Sequence, residues 1–275
     1  MYVIIYNPKS KGGNRDKILN GVIKQLGEEK YITKSFGEIK TFKEFVEELN
    51  EDEYPLIVGG DGTLHFIFNI MKRENINKDV YAYSSGTGND FFRDINQFNK
   101  IIKINDYLED LPTYQINGNK EYFLNGTGIG LDALVCHLVN ESKFSNAFSY
   151  TMSAVKAFFK FKPSKMTAFI DGKQTTYDKC WLISAMNGKY QGGGMMFAPN
   201  KNRNDGIIGT IFIHDCSRLK ILFLFLSIYK GKQFKYKKYV NYIEGKEVKL
   251  IPSNKVYMQT DGEVYSDFKD IIIKG

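Results

Sequence analysis

The residues Gly59-Gly60-Asp61-Gly62-Thr63 directly follow the apolar run Tyr54-Pro55-Leu56-Ile57-Val58, and their types and spacing suit phosphate chemistry. Glycines at a strand end let backbone N–H groups come close to a ligand, because no Cβ intervenes. Thr63 and Leu64 open an apolar pattern at helical spacing (Leu64, Ile67, Phe68, Met71). The glycines therefore sit at a helix N-terminus, where anions bind. Asp61 among them is placed for Mg²⁺ or proton chemistry. An ordinary strand-to-helix turn uses the same residues, so the companion motifs have to decide.

Several companions exist. Asn7-Pro8-Lys9-Ser10-Lys11-Gly12-Gly13 follows the first apolar run and makes a second phosphate-suited loop, and Ser84-Ser85-Gly86-Thr87-Gly88-Asn89-Asp90-Phe91 makes a third. Further on stand Asn125-Gly126-Thr127-Gly128-Ile129-Gly130-Leu131-Asp132-Ala133, then Ala198-Pro199 with Asn204-Asp205-Gly206, and Thr260-Asp261-Gly262-Glu263. Phosphoryl transfer asks a protein to neutralise a triphosphate and to take a proton from the attacking alcohol. Asp61, Asp261 and Glu263 are the candidates for that base and for holding Mg²⁺. Asp132 is a further carboxylate for the substrate side or a domain interface.

These motifs need elements to position them. Tyr2–Asn7 reads as a strand and Asp16–Leu26 as a helix with Ile18, Leu19, Val22, Ile23 and Leu26 on one face. A short strand near Tyr31-Ile32, a capping box at Thr41–Glu44 with a helix behind it, a strand at 54–58, the helix after Thr63 and a strand at Val80–Tyr83 complete an alternating pattern. Alternation of this kind gives a parallel sheet with ligands at the carboxyl ends of its strands. After about Asn117 short extended runs dominate: Glu121–Leu124, Met166–Ile170, Cys180–Ala185, Ile207–Ile213, Val248–Ile251, Val256–Gln259 and Ile271–Ile273. They predict an antiparallel sandwich or barrel, interrupted by helices around Ser149–Phe161 and Leu219–Lys230. The expected division is an α/β domain over 1–118 and a β domain over 119–275.

The 275 residues, 43% hydrophobic and 25% charged, describe a globular protein. Its longest apolar stretch, Ile221 to Tyr229, is far short of the about 20 residues of a membrane span. The N-terminus shows no charged n-region or cleavage site, so no signal peptide is expected. Three scattered cysteines (Cys136, Cys180, Cys216) fit reduced thiols in a cytosol, and three histidines without ligand spacing argue against zinc. The net charge of +7 gathers in two acid-free stretches, Ser142–Ile170 and Cys216–Ile243, where lysines alternate with aromatic and aliphatic residues. No RNA- or DNA-binding motif accompanies them, so an anionic lipid surface is the expected partner rather than nucleic acid. A cytoplasmic protein at the membrane periphery follows; a homodimer stays open.

In their order and spacing the motifs resemble the lipid kinases with a diacylglycerol kinase catalytic domain, including bacterial diacylglycerol kinases and sphingosine kinases. The resemblance spans nearly the whole chain. It implies an N-terminal nucleotide-binding α/β domain similar to NAD kinases and phosphofructokinases, and a C-terminal β-sandwich that shapes a lipid site. It implies ATP and Mg²⁺, with diacylglycerol as the expected lipid alcohol. The Asn-Pro-x-Ser-Gly loop maps onto Asn7, Pro8, Ser10 and Lys11, with Lys9 inside it and Gly12 one place late; Gly-Gly-Asp-Gly-Thr maps onto Gly59, Gly60, Asp61, Gly62 and Thr63. Gly-Thr-x-Asn-Asp-Phe maps onto Gly86, Thr87, Asn89, Asp90 and Phe91, and Thr33 matches a further nucleotide contact by spacing. The late Asp-Gly-Glu falls on Asp261 to Glu263 and gives the base to Glu263, with Asp61 and Asp261 on Mg²⁺ or its waters; Asp61 is the alternative base. A structural Mg²⁺ loop of close bacterial relatives maps onto Asp205, with backbone carbonyls near Asn202 and Ile207. Two positions depart from the family pattern: His65-Phe66 lacks the usual carboxylate after the glycine loop, and Ser84 replaces a common proline. Two other readings share features of the chain, an NAD kinase-like small-molecule kinase and a degenerate nucleotide- or lipid-binding protein.

Overall fold

The computed structural model describes residues 1–7, 15–142 and 147–275, without the side chains of Arg15, Asp16 and 147–151. Pro8, Lys9, Ser10 and Lys11 of the first loop, and Lys143 and Phe144 of the basic run, lie outside the described residues. The chain forms two compact units, Met1–Glu109 and Asp110–Gly275. The division falls earlier than the expected 118/119 because the strand Thr113–Ile116 pairs with the last strand of the chain.

The N-terminal unit runs β1 (Tyr2–Tyr6), α1 (Arg15–Leu26), β2 (Tyr31–Ser35), α2 (Phe42–Glu47), β3 (Tyr54–Gly59), α3 (Asp61–Arg73), β4 (Tyr81–Ser84), α4 (Asp90–Asp94) and β5 (Ile102–Lys103). The apolar spacing read from the sequence is what it buries: Val22 and Leu26 of α1 pack with Ile4, Leu56, Val58 and Tyr83. On α3, Leu64, Ile67, Phe68 and Met71 are buried. Thr41 caps α2 by accepting the Glu44 N–H at 3.2 Å. The sheet order is β2-β1-β3-β4-β5, parallel except for β5. From β1 the chain moves to one side for β2 and to the other for β3. The point where the order reverses lies between β1 and β3, and doubly wound sheets bind ligands at the carboxyl ends there.

The C-terminal unit begins with the hairpin β6 (Thr113–Ile116) and β7 (Asn119–Tyr122), then β8 (Gly126–Gly130), α5 (Leu131–Glu141), α6 (Ala147–Lys160), β9 (Ser164–Ile170) and β10 (Lys173–Met186). It continues with β11 (Tyr190–Gln191), β12 (Met195–Met196), β13 (Ile208–His214), α7 (Arg218–Ile228), β14 (Val240–Gly245), β15 (Glu247–Pro252), β16 (Met258–Thr260), β17 (Glu263–Tyr265) and β18 (Ile271–Lys274). Every pairing among these strands is antiparallel. The long β10 pairs with β9 through its first half and with β8 and β13 through its second, and the register shifts at Cys180 between them. Bulges bend strands, and this one divides the ladder into two wings. Strands β13 and β14 of one wing lie against β15 and β9 of the other, giving a sandwich-like architecture.

The glycine-rich stretch Asn125–Ala133 differs from the glycine loops of the N-terminal unit. It is a buried strand followed by a helix, and α5 was not foreseen. Gly126, Gly128 and Gly130 alternate, so they share one face of β8. A Cβ at Gly126 would meet Gln191, one at Gly128 would come 2.5 Å from the Ile183 carbonyl, and one at Gly130 would strike the Trp181 carbonyl. These glycines serve strand packing.

Gly130 also needs its φ of 121°. Gly130→Ala is expected to destabilise the C-terminal unit by about 3 kcal/mol or more, through strain and overpacking together. Gly118, at φ 85° with open space around its Cα, should cost only about 1–2 kcal/mol when replaced by Ala. Urea unfolding followed by the fluorescence of Trp181, the single tryptophan, measures both.

Candidate functional site

At the carboxyl edge of the parallel sheet, the loops after β3 and β4 are joined backbone to backbone. A Cβ on Gly60 would lie 2.8 Å from the Gly86 Cα, and a Cβ on Gly86 would lie 2.7 Å from the Gly60 Cα. Each glycine is therefore required by the other. Asp61 reinforces the junction: its carboxylate accepts the N–H groups of Asp90 and Phe91, both at 3.0 Å. Asn89, in the left-handed region at φ 49°, accepts the Gly86 N–H at 2.9 Å and donates to the Gly86 carbonyl at 2.5 Å. Gly59, Gly60, Asp61, Gly86, Asn89 and Asp90 thus form one cluster.

The rest of the loop stays open. A Cβ at Gly62 would meet nothing within 4 Å, so the first turn of α3 presents free space beside its N–H groups. Thr63 packs its side chain against Gly59, where a Cβ would lie 2.5 Å away. Thr87 is exposed. Asn7 continues β1, the neighbour of β3, and Thr33 is an exposed residue of the edge strand β2, in register with Ile4. The arrangement fits a triphosphate: helix N–H groups, glycines without side chains, and a carboxylate fixed at their side. Each oxygen of the Asp61 carboxylate accepts one of these N–H groups, which fixes the negative charge beside the glycines.

In the C-terminal unit, Asp261 and Gly262 have φ of 48° and 98° and make the two-residue turn of the β16–β17 hairpin. The Asp261 carboxylate accepts the N–H groups of Leu124 at 2.6 Å, Asn125 at 2.8 Å and Gly126 at 3.3 Å. Those bonds tie the turn to the segment Leu124–Gly126. Glu263, next along the turn, is exposed, and its carboxylate takes part in no hydrogen bond or ion pair among the described residues. Further along β17, Tyr265 shares the Glu121 carboxylate with Tyr114, whose hydroxyl lies 2.7 Å from that of Tyr265. Burial pushes both phenols up. The hairpin is anchored on either side of Glu263.

Beneath the same hairpin lies Asp132, in the first turn of α5. Its Oδ2 accepts from Gln259 at 3.3 Å and from Ser184 at 3.5 Å. The Gln259 Oε1 in turn accepts the Gly262 N–H at 3.3 Å, so Asp132 is linked to the Glu263 turn through one side chain. Burial raises the Asp132 carboxyl from 3.8 to about 6, against the lowering effect of nearby N–H groups and Ser184. The same burial, with the Asp132 charge, pushes the Cys136 thiol up to about 12.

The loop expected to hold a structural Mg²⁺ does not fit one. Asp205 Oδ1 lies 2.5 Å from the Lys201 ammonium and also accepts the Ile207 N–H at 2.9 Å. The Asn202 carbonyl, also 2.5 Å from Lys201, is occupied by the same ammonium. Among the described residues no group of three or more His, Cys, Asp or Glu side chains could hold a metal ion. Arg203, also buried, donates to the Leu124 carbonyl at 3.0 Å and to Asn125 Oδ1 at 3.2 Å. Sequence reasoning missed both cations, because the run Pro199–Gly206 consists of turn-forming and charged residues that read as a solvent-facing loop.

Residues 1–115 match the diacylglycerol kinase catalytic domain, and residues 126–270 match the YegS C-terminal NAD kinase beta sandwich-like domain. The chain is 22% identical over 289 residues to Bacillus subtilis YtlR, whose name proposes a lipid kinase, covering 96% of this chain and 93% of that one. It is 24% identical over 223 residues to a Mycobacterium tuberculosis diacylglycerol kinase, covering 77% and 69%. A crystal structure of a diacylglycerol kinase from Bacillus anthracis shares the fold with a TM-score of 0.65 at 18% identity, over 99% of this chain and 92% of that chain.

The Asp132 environment predicts a pH dependence. Folded, the group holds its proton up to about pH 6; unfolded, only to about pH 4. The folded state therefore binds more protons in that window, and stability falls as pH rises through it, by about 3 kcal/mol at most. Asp132→Asn should remove this contribution. Its stability relative to wild type should rise between pH 4 and 8 in urea titrations followed by Trp181. A difference constant across that range would show that Asp132 does not titrate there.

Proposed function

The chain belongs to the lipid kinase family that joins a diacylglycerol kinase catalytic domain to a YegS-type C-terminal domain, and from that membership we propose that it moves the γ-phosphoryl group of Mg·ATP onto the hydroxyl of a membrane lipid alcohol, diacylglycerol foremost. One observation carries the reading: two glycine loops meet backbone to backbone at the carboxyl edge of the sheet, with Asp61 fixed between them. Mg²⁺, when bound, supplies the positive charge that offsets the triphosphate.

The chain's own residues supply the rest. N–H groups of the α3 first turn and of the Gly86 loop bind the phosphates, and Asp61 orients the cation side. Glu263 takes the proton of the lipid hydroxyl as its oxygen attacks the γ-phosphorus and the bond to ADP breaks. Asp61 is less suited to that task, since both its oxygens hold the start of α4. Phosphatidic acid formed from Mg·ATP and diacylglycerol micelles tests the reading; lipid-independent ADP release, or phosphorylation of NAD in place of lipid, would overturn it.

Glu263→Gln should lower kcat by roughly 10²–10⁴-fold, as expected for a positioned base, while ATP binding stays intact. Retention of wild-type kcat at saturating lipid would move the base elsewhere, to Asp61 first.

Lipid stays in a bilayer while ATP stays in water, so the reading includes docking on an anionic membrane. Exposed apolar faces on two helices support it: Phe159 on α6, and Leu219, Phe223 and Leu226 on α7, are each more than 60% exposed. Arg218 joins the helices by donating to the carbonyls of Phe158 and Phe161. Exposed Lys235, Lys237 and Lys238 follow α7 in an acid-free stretch. Each lysine near an anionic surface contributes about 1 kcal/mol. Changing these three to Glu should raise the apparent KM for lipid in anionic vesicles and leave ATP affinity alone, and high salt should do the same. Vesicle co-sedimentation that ignores both anionic lipid content and salt would remove the membrane from the reading.

A further inference from the structure

We propose that Lys201 is a built-in cation: its ammonium takes the position a divalent ion would occupy on Asp205 and the Asn202 carbonyl, and holds this loop without metal. The Lys201 side chain is 0% exposed. A buried ammonium is unfavourable unless it is paired and hydrogen-bonded, and here it reaches a carboxylate and a carbonyl at 2.5 Å each. Those are two of the oxygens a metal would need.

A second donor reaches the same carboxylate. Ile207 directs its N–H, a donor, at Asp205 Oδ1. Two donors therefore converge on one carboxylate oxygen, where a metal site needs lone pairs turned inward. Mg²⁺ also demands near-octahedral oxygen ligands at about 2.0–2.1 Å and keeps several waters. An ammonium on the same oxygens leaves neither the charge balance nor the room.

The consequence reaches the candidate site. The loop that Lys201 closes carries Arg203, which donates to Leu124 and Asn125. Those two residues give their N–H groups to Asp261, in the turn beside Glu263. A covalently attached cation would keep this support at any Mg²⁺ concentration, so the C-terminal unit would not need metal to hold the turn.

The test reads folding and metal binding, so it stands apart from kinase activity. Wild-type protein without nucleotide should melt at the same temperature in EDTA and in millimolar Mg²⁺. It should bind Mn²⁺, followed by electron paramagnetic resonance, no more tightly than Asp205→Asn. Lys201→Ala should melt several degrees lower in EDTA and regain part of the loss with Mg²⁺ or Mn²⁺, because the freed oxygens can then accept a metal. Wild-type Mn²⁺ binding that Asp205→Asn abolishes would overturn the proposal. So would a Lys201→Ala variant that melts like wild type in EDTA, or one that loses stability without recovery by metal. If Lys201→Ala fails to fold, the Mn²⁺ comparison of wild type with Asp205→Asn decides alone.

Discussion

Each unit of this molecule depends on a carboxylate that leaves its own turn to collect backbone N–H groups from a segment far away in the chain. Asp61 collects those of Asp90 and Phe91; Asp261 collects those of Leu124, Asn125 and Gly126. Hydrogen bonds of this kind, backbone N–H to an ionised acceptor, are roughly twice as strong as neutral ones. In the N-terminal unit the need is plain. Helix α4 spans only Asp90–Asp94, too short to be stable by itself, and Asn89 at its N-cap position gives it no side-chain cap. Asn89 is engaged with Gly86, so the missing cap arrives from Asp61 across the sheet edge. One ion thereby terminates the β3 loop, starts α4 and sets the spacing of two glycine loops.

The C-terminal unit solves a harder problem, since β16 and β17 are strands of three residues each. A hairpin so short has little stability of its own. It is held from below by Gln259 on Asp132, from one side by Asp261, and from the far end by the Tyr114–Tyr265–Glu121 set. The buried cations Lys201 and Arg203 stand behind the segment that Asp261 grips. Polar groups in such surroundings favour a single arrangement only when each has its partners. Here polar contacts hold the hairpin, with the Oδ1 of Asp132 left as a buried oxygen without a hydrogen-bond partner among the described residues.

What could be read from the sequence follows from how local each cause is. Helices α1 and α3 announce themselves because their burial is periodic, and strands β1 and β3 because they are short apolar runs buried without interruption. The glycine loops were legible by type, but not by what each glycine meets. Gly60 and Gly86 serve one another, which no window of sequence contains, while Gly126, Gly128 and Gly130 turned out to pack β8 on β10. Helix α5 escaped notice because it starts directly after Gly130 without a capping side chain. Lys201 and Arg203 lie in a run whose composition speaks for solvent, and only the tertiary fold turns them inward. The N–H partners of Asp261 are likewise separated from it by more than half the C-terminal unit's length of chain, so nothing near the motif hinted at them.

The same distribution of contacts sorts the acids by what they can do. A base must approach the hydroxyl, accept its proton and release it again. Drawing Asp61 away from its N–H groups would leave two donors unsatisfied at the start of α4, at about 1–3 kcal/mol each where water cannot replace the acceptor. Asp261 faces a similar cost with three. Both are therefore suited to holding geometry and a fixed negative charge. Glu263 stands on a hairpin immobilised from several directions, yet its own carboxylate is uncommitted. Rigid backbone with a free side chain is the combination that proton transfer favours, because the position is set in advance while the group remains able to bind and release a proton.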